Sequence, residues 1–208
     1  MRFPRATHRN IYVRSKRAGE RVMKSVRTYL QEELRLQVNE TKSAVDRPWK
    51  RKFLGFTFLT GKESRIRISP KSIKRMKDRI REITSRTRSQ SMKERLDKLN
   101  EYLVGWLGHY ALAEVPTTLR DLDKWIRGRL RMCLWKQWKR PKARIRNLRA
   151  LGIEHQKAYE VGHSRKGYWR MAHSPQMNKA LGIAYWQSKE LVSLNKCYEE
   201  IRRAWRTA

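Results

Sequence analysis

A run of basic and aromatic residues near the middle of the chain has the chemistry needed to bind a polyanion. Residues 120–149 contain twelve Lys or Arg and only two acidic residues, Asp121 and Asp123. Three tryptophans lie among these cations: Trp125, Trp135 and Trp138. Guanidinium and ammonium groups neutralise phosphates, and indole rings stack on unpaired bases. A solvated helix surface normally mixes both signs of charge, so this composition favours nucleic-acid binding over a merely solvated basic helix.

The whole chain is strongly basic, with a formal net charge of +32 over 208 residues. A compact body with this charge repels itself unless a polyanion neutralises it. Because the cations are spread along the chain, and are not confined to one amphipathic helix, an anionic membrane surface is the weaker candidate partner. No apolar run approaches the ~18 residues of a membrane span, and the two cysteines, Cys133 and Cys197, form no pair. We therefore expect a soluble, cytoplasmic protein without a membrane partner.

The cysteines and histidines of the chain give little support to a metal site or a nuclease domain. There is no CxxC or HxxxH pair, and zinc sites need such closely spaced ligands. His155, His163 and His173 lie close together in sequence, but no cysteine pair accompanies them. We expect His163 and His173 to be loop or surface residues, and we expect no resident cofactor or metal.

The N-terminal third shows mainly β patterns. An amphipathic helix is predicted to begin near Ala18. Short strands are predicted at residues 11–13, 36–38 and 44–45, and a hairpin from residues 53–59 and 65–68 with its turn at residues 60–63. Polar residues 39–42 predict a turn.

From Ser69 onward the apolar period changes from two to 3.6, which predicts helices. Ser69 and Pro70 supply an N-cap and a first-turn proline, and Ser91 with Glu94 forms a capping box. A third helix after Pro116, capped by Thr117 or Thr118, is predicted to end near Arg140 because Pro141 follows. Apolar residues at helical spacing would face the core: Ile73, Met76, Ile80, Ile83, Leu96, Leu99, Leu103, Tyr110, Leu119, Leu122, Ile126 and Leu130. Trp106 and Trp125 lie near these faces, so Trp138 is the better candidate for base stacking.

Beyond Pro141 the pattern predicts shorter helices. One ends at Gly152, and residues 153–190 are predicted to form short helices joined by loops, with Ser174 and Pro175 repeating the capping device. A last helix shows Leu194, Tyr198, Ile201 and Trp205 on one side. The predicted fold class is α+β, mostly α, with a small hairpin followed by a helical bundle and a short helical tail.

The order of these segments resembles the C-terminal part of a group II intron-encoded reverse transcriptase/maturase. LQVNETKSAV (36–45) followed by FLGFTF (53–58) is similar to the last two palm blocks of that family. NEYLVGWLGHY (100–110) and LWKQWKRPK (134–142) are similar to its thumb region, domain X. GYWRMA (167–172) resembles the tail that follows domain X. The resemblance implies a palm remnant at residues 1–67, the maturase-specific thumb at 68–152 and a C-terminal tail at 153–208.

The resemblance implies roles for individual residues. Lys42 matches a palm lysine placed to donate a proton to the leaving pyrophosphate, although a solvated turn lysine has the same sequence signature. Phe53, Leu54, Gly55 and Phe56 match the primer grip, and buried aromatic packing of the hairpin is compatible with that role. The thumb helices imply intron RNA and a template–primer duplex as partners. Candidate nucleic-acid-binding residues are Lys71, Lys74, Arg75, Arg79, Arg129, Arg131, Lys136, Trp138, Lys139, Arg140, Lys142, Arg144 and Arg146.

The sequence departs from the family where polymerisation requires two metal ions held by carboxylates. The family's adjacent aspartates precede the segment that residues 11–13 resemble, where this chain has Thr7, His8, Arg9 and Asn10. The first aspartate in the chain is Asp46. We therefore expect a truncated, RNA-binding fragment that assists intron splicing or mobility. Mg²⁺ is expected only in the full-length family enzyme, and this chain alone is not expected to extend a primer.

Three other interpretations remain open. The chain is compatible with one part of a split RNA-directed DNA polymerase, active only with a separate fingers/palm polypeptide. A generic basic helical DNA-binding protein explains the charge and the helices but not the hairpin followed by the domain X strings. The product of a decayed gene is the third.

Overall fold

The computed structural model describes residues 10–59 and 65–207, which divide between two compact units, Met1–Ser69 and Pro70–Ala208. The described part of the first unit contains helix α1 (Lys16–Glu32), a 3-10 turn (Pro48–Lys50) and strands β1 (Phe56–Phe58) and β2 (Ile66–Ile68). The Ser15 side chain caps α1 by accepting a hydrogen bond from the Ala18 amide at 3.2 Å. The helix predicted near Ala18 is thus confirmed, with an earlier start.

Three of the strands predicted for the first unit are wrong. Residues 11–13, 36–38 and 44–45 have no strand conformation. Within the described residues the sheet contains only β1 and β2, and none of these three segments pairs with it. A segment with alternating apolar residues forms a strand only when a neighbouring strand hydrogen-bonds its backbone N–H and C=O groups. The alternation pattern therefore predicted more strands than the structure contains in its described residues. Ile11 and Tyr12 are accordingly exposed.

The predicted hairpin is confirmed, with a shorter first strand. β1 pairs antiparallel with β2 and places Phe56 opposite Ile68. Phe53 and Phe56 exchange backbone hydrogen bonds of 3.0 and 2.8 Å around Leu54 and Gly55. Both intervening residues have positive φ, 51° and 88°, as a type I′ turn requires. The segment predicted as one strand is therefore a tight turn followed by a strand, and the turn predicted at residues 60–63 lies outside the described residues.

The second unit begins with α2 (Pro70–Ile83) and α3 (Met92–Tyr110). The capping box of α3 is confirmed: Ser91 Oγ accepts from the Glu94 amide, and Glu94 Oε2 accepts from the Ser91 amide, both at 3.1 Å. The predicted inward residues of these helices are buried, apart from the half-buried Ile73: Met76, Ile80, Ile83, Leu96, Leu99, Leu103 and Tyr110.

Helix α4 (Pro116–Gln137) differs from its prediction at both ends. Val115 is its N-cap and no side chain caps it, so the predicted Thr117 or Thr118 cap is wrong. Pro116 already supplies the fixed φ of a first turn and needs no donor partner. The helix ends at Gln137, short of Arg140, because Pro141 starts a new helix, α5 (Pro141–Ala150), and does not merely terminate the old one. Gly152 follows α5 with φ +80°, which confirms the predicted stop.

Five further helices complete the second unit. They are α6 (His155–Gly162), α7 (Tyr168–Ala172), α8 (Pro175–Ala180), α9 (Ile183–Ser188) and α10 (Leu194–Thr207). Helix α7 packs on α4, α6 packs on α5, and α10 packs on both α3 and α4. The last helices are thus part of the same core as α2–α5. Tyr198 of α10 illustrates this, since its hydroxyl donates to the Ala113 carbonyl at 2.9 Å.

The fold is α+β and mostly α, as predicted: ten helices and one two-stranded hairpin occur in the residues that the structure describes. Across residues 10–59 and 65–207, no helix is both long and apolar enough to cross a bilayer.

Candidate nucleic-acid interface

The junction between α4 and α5 carries the densest group of exposed cations predicted from the sequence. Lys136 lies in the last turn of α4, Lys139 and Arg140 in the connection, and Lys142 in the first turn of α5. All four are exposed, and no described carboxylate pairs with them. Arg146, one turn further along α5, is exposed as well. We name Lys136, Lys139, Arg140 and Lys142 the elbow cations.

Arg144 packs against the end of α4 at the elbow and hydrogen-bonds to it. Its guanidinium carbon lies 4.5 Å from the centre of the buried Trp135 ring. Its Nε donates to the Trp138 carbonyl at 3.0 Å, and one terminal nitrogen donates to the Gly162 carbonyl at 3.4 Å. Arg144 therefore joins the end of α4 to α6 and has a structural role, although it was predicted to bind nucleic acid.

Trp138, the predicted stacking residue, is half-buried at the C-cap of α4. Its ring meets the ring of Trp135 edge to face, with centroids 6.2 Å apart. Part of its surface is therefore committed to packing at the elbow.

Two other predicted cations also point into the protein. Arg129 donates to Thr84 Oγ1 at 3.0 Å and to the Arg81 and Thr84 carbonyls at 3.2 and 3.1 Å. Arg131 is only 6 % exposed and donates to the Leu181 carbonyl at 3.4 Å. Burial, followed by the charge of Arg127, lowers the pKa of Arg131 to about 10, and burial lowers the pKa of Arg129. We leave both out of the surface offered to nucleic acid.

Helix α2 presents the remaining predicted cations on its outer face. Lys71, Lys74, Arg75 and Arg79 are all exposed. Arg79 is partly neutralised, because its terminal nitrogen lies 2.6 Å from Glu82 Oε2. The hydrogen bonds from Arg79 and then Arg88 lower the pKa of Glu82, which keeps this carboxylate charged. Arg79 is thus less available to a phosphate than its neighbours on α2.

A basic loop that sequence patterns did not single out joins this region to the elbow. Residues 84–90 lie between α2 and α3. The buried Arg95 side chain donates to the carbonyl of Ile83, the last residue of α2, at 2.6 Å and to the carbonyl of Ser85 in the loop at 2.9 Å. Arg86 of this loop lies 4.7 Å from the centre of the Tyr168 ring, and Lys136 lies 5.4 Å from the same ring. The Tyr168 ring of α7 therefore contacts two cations, Arg86 and Lys136, that are 50 residues apart in sequence.

The predicted palm residues lie in the first unit. Lys42 is exposed at the end of a turn in which its amide donates to Asn39 Oδ1 at 3.1 Å, and the predicted polar turn is confirmed. Phe53, Leu54, Gly55 and Phe56 form the type I′ turn, with the Leu54 side chain exposed at its tip.

The histidines do not assemble a metal site in the described residues. His163 and His173 are exposed, as predicted, and each donates Nδ1–H to the carbonyl four residues earlier, at 3.0 and 2.8 Å. No group of three His, Cys, Asp or Glu side chains is close enough to hold a metal ion there.

One protein family matches the helices that build this surface. The family model of the group II intron maturase-specific domain matches residues 73–152, from the first turn of α2 to the glycine after α5. A search of curated proteins found no match. The family match supports a maturase role in the splicing of group II introns. Residues 73–152 thus match the group II intron maturase-specific domain, and this match supports the assignment of a C-terminal maturase region of a group II intron protein.

Proposed function

We propose that the second unit binds folded group II intron RNA and stabilises the conformation in which the RNA splices itself. The observation that carries this proposal is the elbow, where four exposed cations without a carboxylate partner among the described residues lie next to the buried Trp135 ring and the half-buried Arg144 guanidinium. Such a surface costs free energy through charge repulsion until a polyanion binds. In this role the RNA performs the chemistry and the protein supplies binding energy only.

The physical basis of binding is neutralisation of phosphates. Each Lys or Arg that contacts a phosphate releases condensed counterions, so affinity falls steeply with salt. Arg140 and Arg146 add planar donors that bind phosphate oxygens in pairs, which lysine does not do. The exposed cations of α2 extend the surface. We include a template–primer duplex as a further ligand, since its backbone has the same charge.

Competition binding tests this function against a generic DNA-binding role. The full chain is bound to a labelled structured group II intron RNA, and unlabelled intron RNA or duplex DNA of equal length is added at fixed salt. We expect the intron RNA to displace the label at a concentration at least tenfold lower than the DNA. Equal competition by both nucleic acids would support a generic polyanion binder and contradict the proposal.

The first unit favours a second candidate function, in which the chain acts with a separate fingers/palm polypeptide as a split reverse transcriptase. Large apolar side chains are exposed there, including Ile11, Tyr12 and Leu54. Exposed apolar groups favour association with another chain. Co-expression with a fingers/palm polypeptide tests this: we expect a stable complex that extends a primer, whereas neither chain does so alone. Separate elution of the two chains would contradict it.

A further inference from the structure

A cleft outside the family match has the composition of a nucleotide-binding site. It has a volume of about 630 Å³ and lies between the end of α6, helix α7 and the start of α8. Trp169 forms one wall, Lys166 and Arg170 lie beside it, and Ser164 and Gln176 add polar groups. Glu160 is the acidic residue of the lining, and its Oε1 accepts a hydrogen bond from Gln156 at 3.4 Å.

Trp169 is held in place although much of its side chain contacts solvent. The residue is 43 % exposed. Its ring lies 4.3 Å from the ring of His173, and the Nδ1–H of His173 donates to the Trp169 carbonyl at 2.8 Å. Both residues belong to one turn of chain, so the indole has a fixed support on one side.

The Trp169 and His173 rings pack against helix α4 at Gly128. A Cβ atom at Gly128 would lie 2.8 Å from His173 Nε2 and 3.6 Å from the outer edge of the Trp169 ring. The glycine therefore allows α7 to approach α4 closely enough for the two rings to rest on the helix. An aromatic wall that is ordered before binding loses little conformational freedom when a ligand stacks on it.

The charges in the cleft indicate the class of ligand. Lys166 and Arg170 are exposed and have no ion-pair partner among the described residues. A flat aromatic wall combined with nearby cations suits a planar base attached to a phosphate. The cleft volume falls in the range of about 300–1,000 Å³ typical of small-ligand sites, which accommodates one nucleotide but not a duplex.

We propose that this cleft receives one unpaired nucleotide of the RNA, with its base stacked on Trp169 and its phosphate bound by Lys166 and Arg170. The inference rests on the proposed RNA-binding function and deepens it. The elbow cations bind the RNA backbone irrespective of sequence or pairing, and the cleft adds a preference for RNA with an unpaired base. Base stacking of this kind changes affinity by on the order of tenfold.

The experiment compares two RNA hairpins that each contain one 2-aminopurine nucleotide. In the first hairpin this nucleotide is bulged; in the second, one added nucleotide on the opposite strand pairs with it. For the wild-type chain we expect about tenfold tighter binding of the bulged hairpin, with quenching of the 2-aminopurine fluorescence. Trp169→Leu should abolish the preference and the quenching while leaving affinity for the paired hairpin unchanged. Trp205→Leu is the matched control, because Trp205 is 49 % exposed and lies outside the cleft lining; it should behave as the wild type.

A second variant protects the test against misfolding of the first. Lys166→Ala with Arg170→Ala removes only exposed charge and should weaken binding of the bulged hairpin more than that of the paired one. If the preference survives in both variants, or is absent in the wild type, the cleft assignment is wrong while the RNA-binding function stands. Quenching of a free 2-aminopurine nucleotide monophosphate at comparable concentration would reassign the cleft to free nucleotides. Failure of the wild type to bind either hairpin would overturn both proposals.

Discussion

The Asp123 carboxylate accepts a hydrogen bond from the Leu194 backbone amide at 2.9 Å, across 71 residues of sequence. The same carboxylate accepts from Ser193 Oγ at 2.8 Å and from the Asn195 amide at 3.2 Å. These donors belong to the first turn of α10 and the residue before it, where helix amides have no partner within the helix. A buried acidic residue of α4 thus caps the last helix and joins it to the maturase-specific domain.

Asp123→Ala should destabilise the protein by about 2–4 kcal/mol, because the change leaves buried helix amides without an acceptor. Urea unfolding followed by circular dichroism measures this. Asp121→Ala is the matched control: Asp121 is two residues away and exposed, and it makes only a 3.9 Å contact with Lys124, so we expect a change within about 0.5 kcal/mol. Equal losses in the two variants would show that Asp123 is not the anchor of α10.

Glycine-to-alanine changes at Gly162 and Gly108 should change the free energy of unfolding in opposite directions. A Cβ at Gly162 would lie 2.5 Å from Ile145 Cγ1, where α6 crosses α5, so Gly162→Ala should cost about 1–3 kcal/mol. A Cβ at Gly108, in the exposed face of α3, meets nothing within 4 Å. Gly108→Ala should therefore stabilise the protein by about 0.5–1 kcal/mol through helix propensity. Thermal unfolding distinguishes the two, and stabilisation by both changes would contradict the close α5–α6 contact.

Removal of the Arg95 guanidinium should release the basic loop at residues 84–90. Arg95→Leu removes the donor to the buried Ile83 carbonyl and to the part-buried Ser85 carbonyl, at a cost of about 2–4 kcal/mol. Lys98→Leu removes an exposed cation from the same helix and serves as the control, with little expected change. Hydrogen exchange should show faster exchange in residues 84–90 for Arg95→Leu alone; unchanged protection there would contradict the loop-anchoring role.

Cys133 should be almost inert in the folded protein. Burial raises the pKa of its thiol, although the charges of Arg95 and Arg129 oppose the shift, and its Sγ–H donates to the Thr84 carbonyl at 3.2 Å. The thiolate is the reactive form, so in a Cys197→Ser background iodoacetamide at pH 8 should label Cys133 only after unfolding. Because the folded pKa is raised, the stability contributed by the thiol is complete below its ordinary pKa and is lost as the pH rises through the folded value. Rapid labelling without denaturant would contradict this burial.

Sequence patterns predicted the helical core well because burial there follows local periodicity. Met76 and Ile80 of α2 and Leu99 and Leu103 of α3 were placed inward from spacing alone, and all four are buried. The strands of the first unit failed for the opposite reason. A strand depends on a neighbouring strand that local sequence does not specify, and the described residues supply such a partner only for β1 and β2.

The candidate site was predicted less completely, since cation identity does not reveal where a side chain points. Arg129 bonds to Thr84 and Arg131 to Leu181, partners 45 and 50 residues away. No local pattern distinguishes these residues from the exposed elbow cations on the same stretch of chain. Trp169 was not singled out from the sequence either, because its position beside α4 depends on the close approach of α7 to α4 at Gly128.

The salt dependence of RNA affinity tests the central claim most directly. Affinity for a structured intron RNA is measured between 50 and 300 mM KCl, a range in which each lost phosphate contact lowers the slope of log K against log salt by about 0.7–0.9. The test variant replaces Lys136, Lys139, Arg140 and Lys142 with Ala. The control removes the same charge from exposed positions in and near α10, at Lys189, Lys196, Arg203 and Arg206. We predict a slope reduced by about 2–3 and weaker binding for the elbow variant, with the control close to wild type. Identical slopes for the elbow variant, the control and the wild type would contradict RNA binding through the elbow.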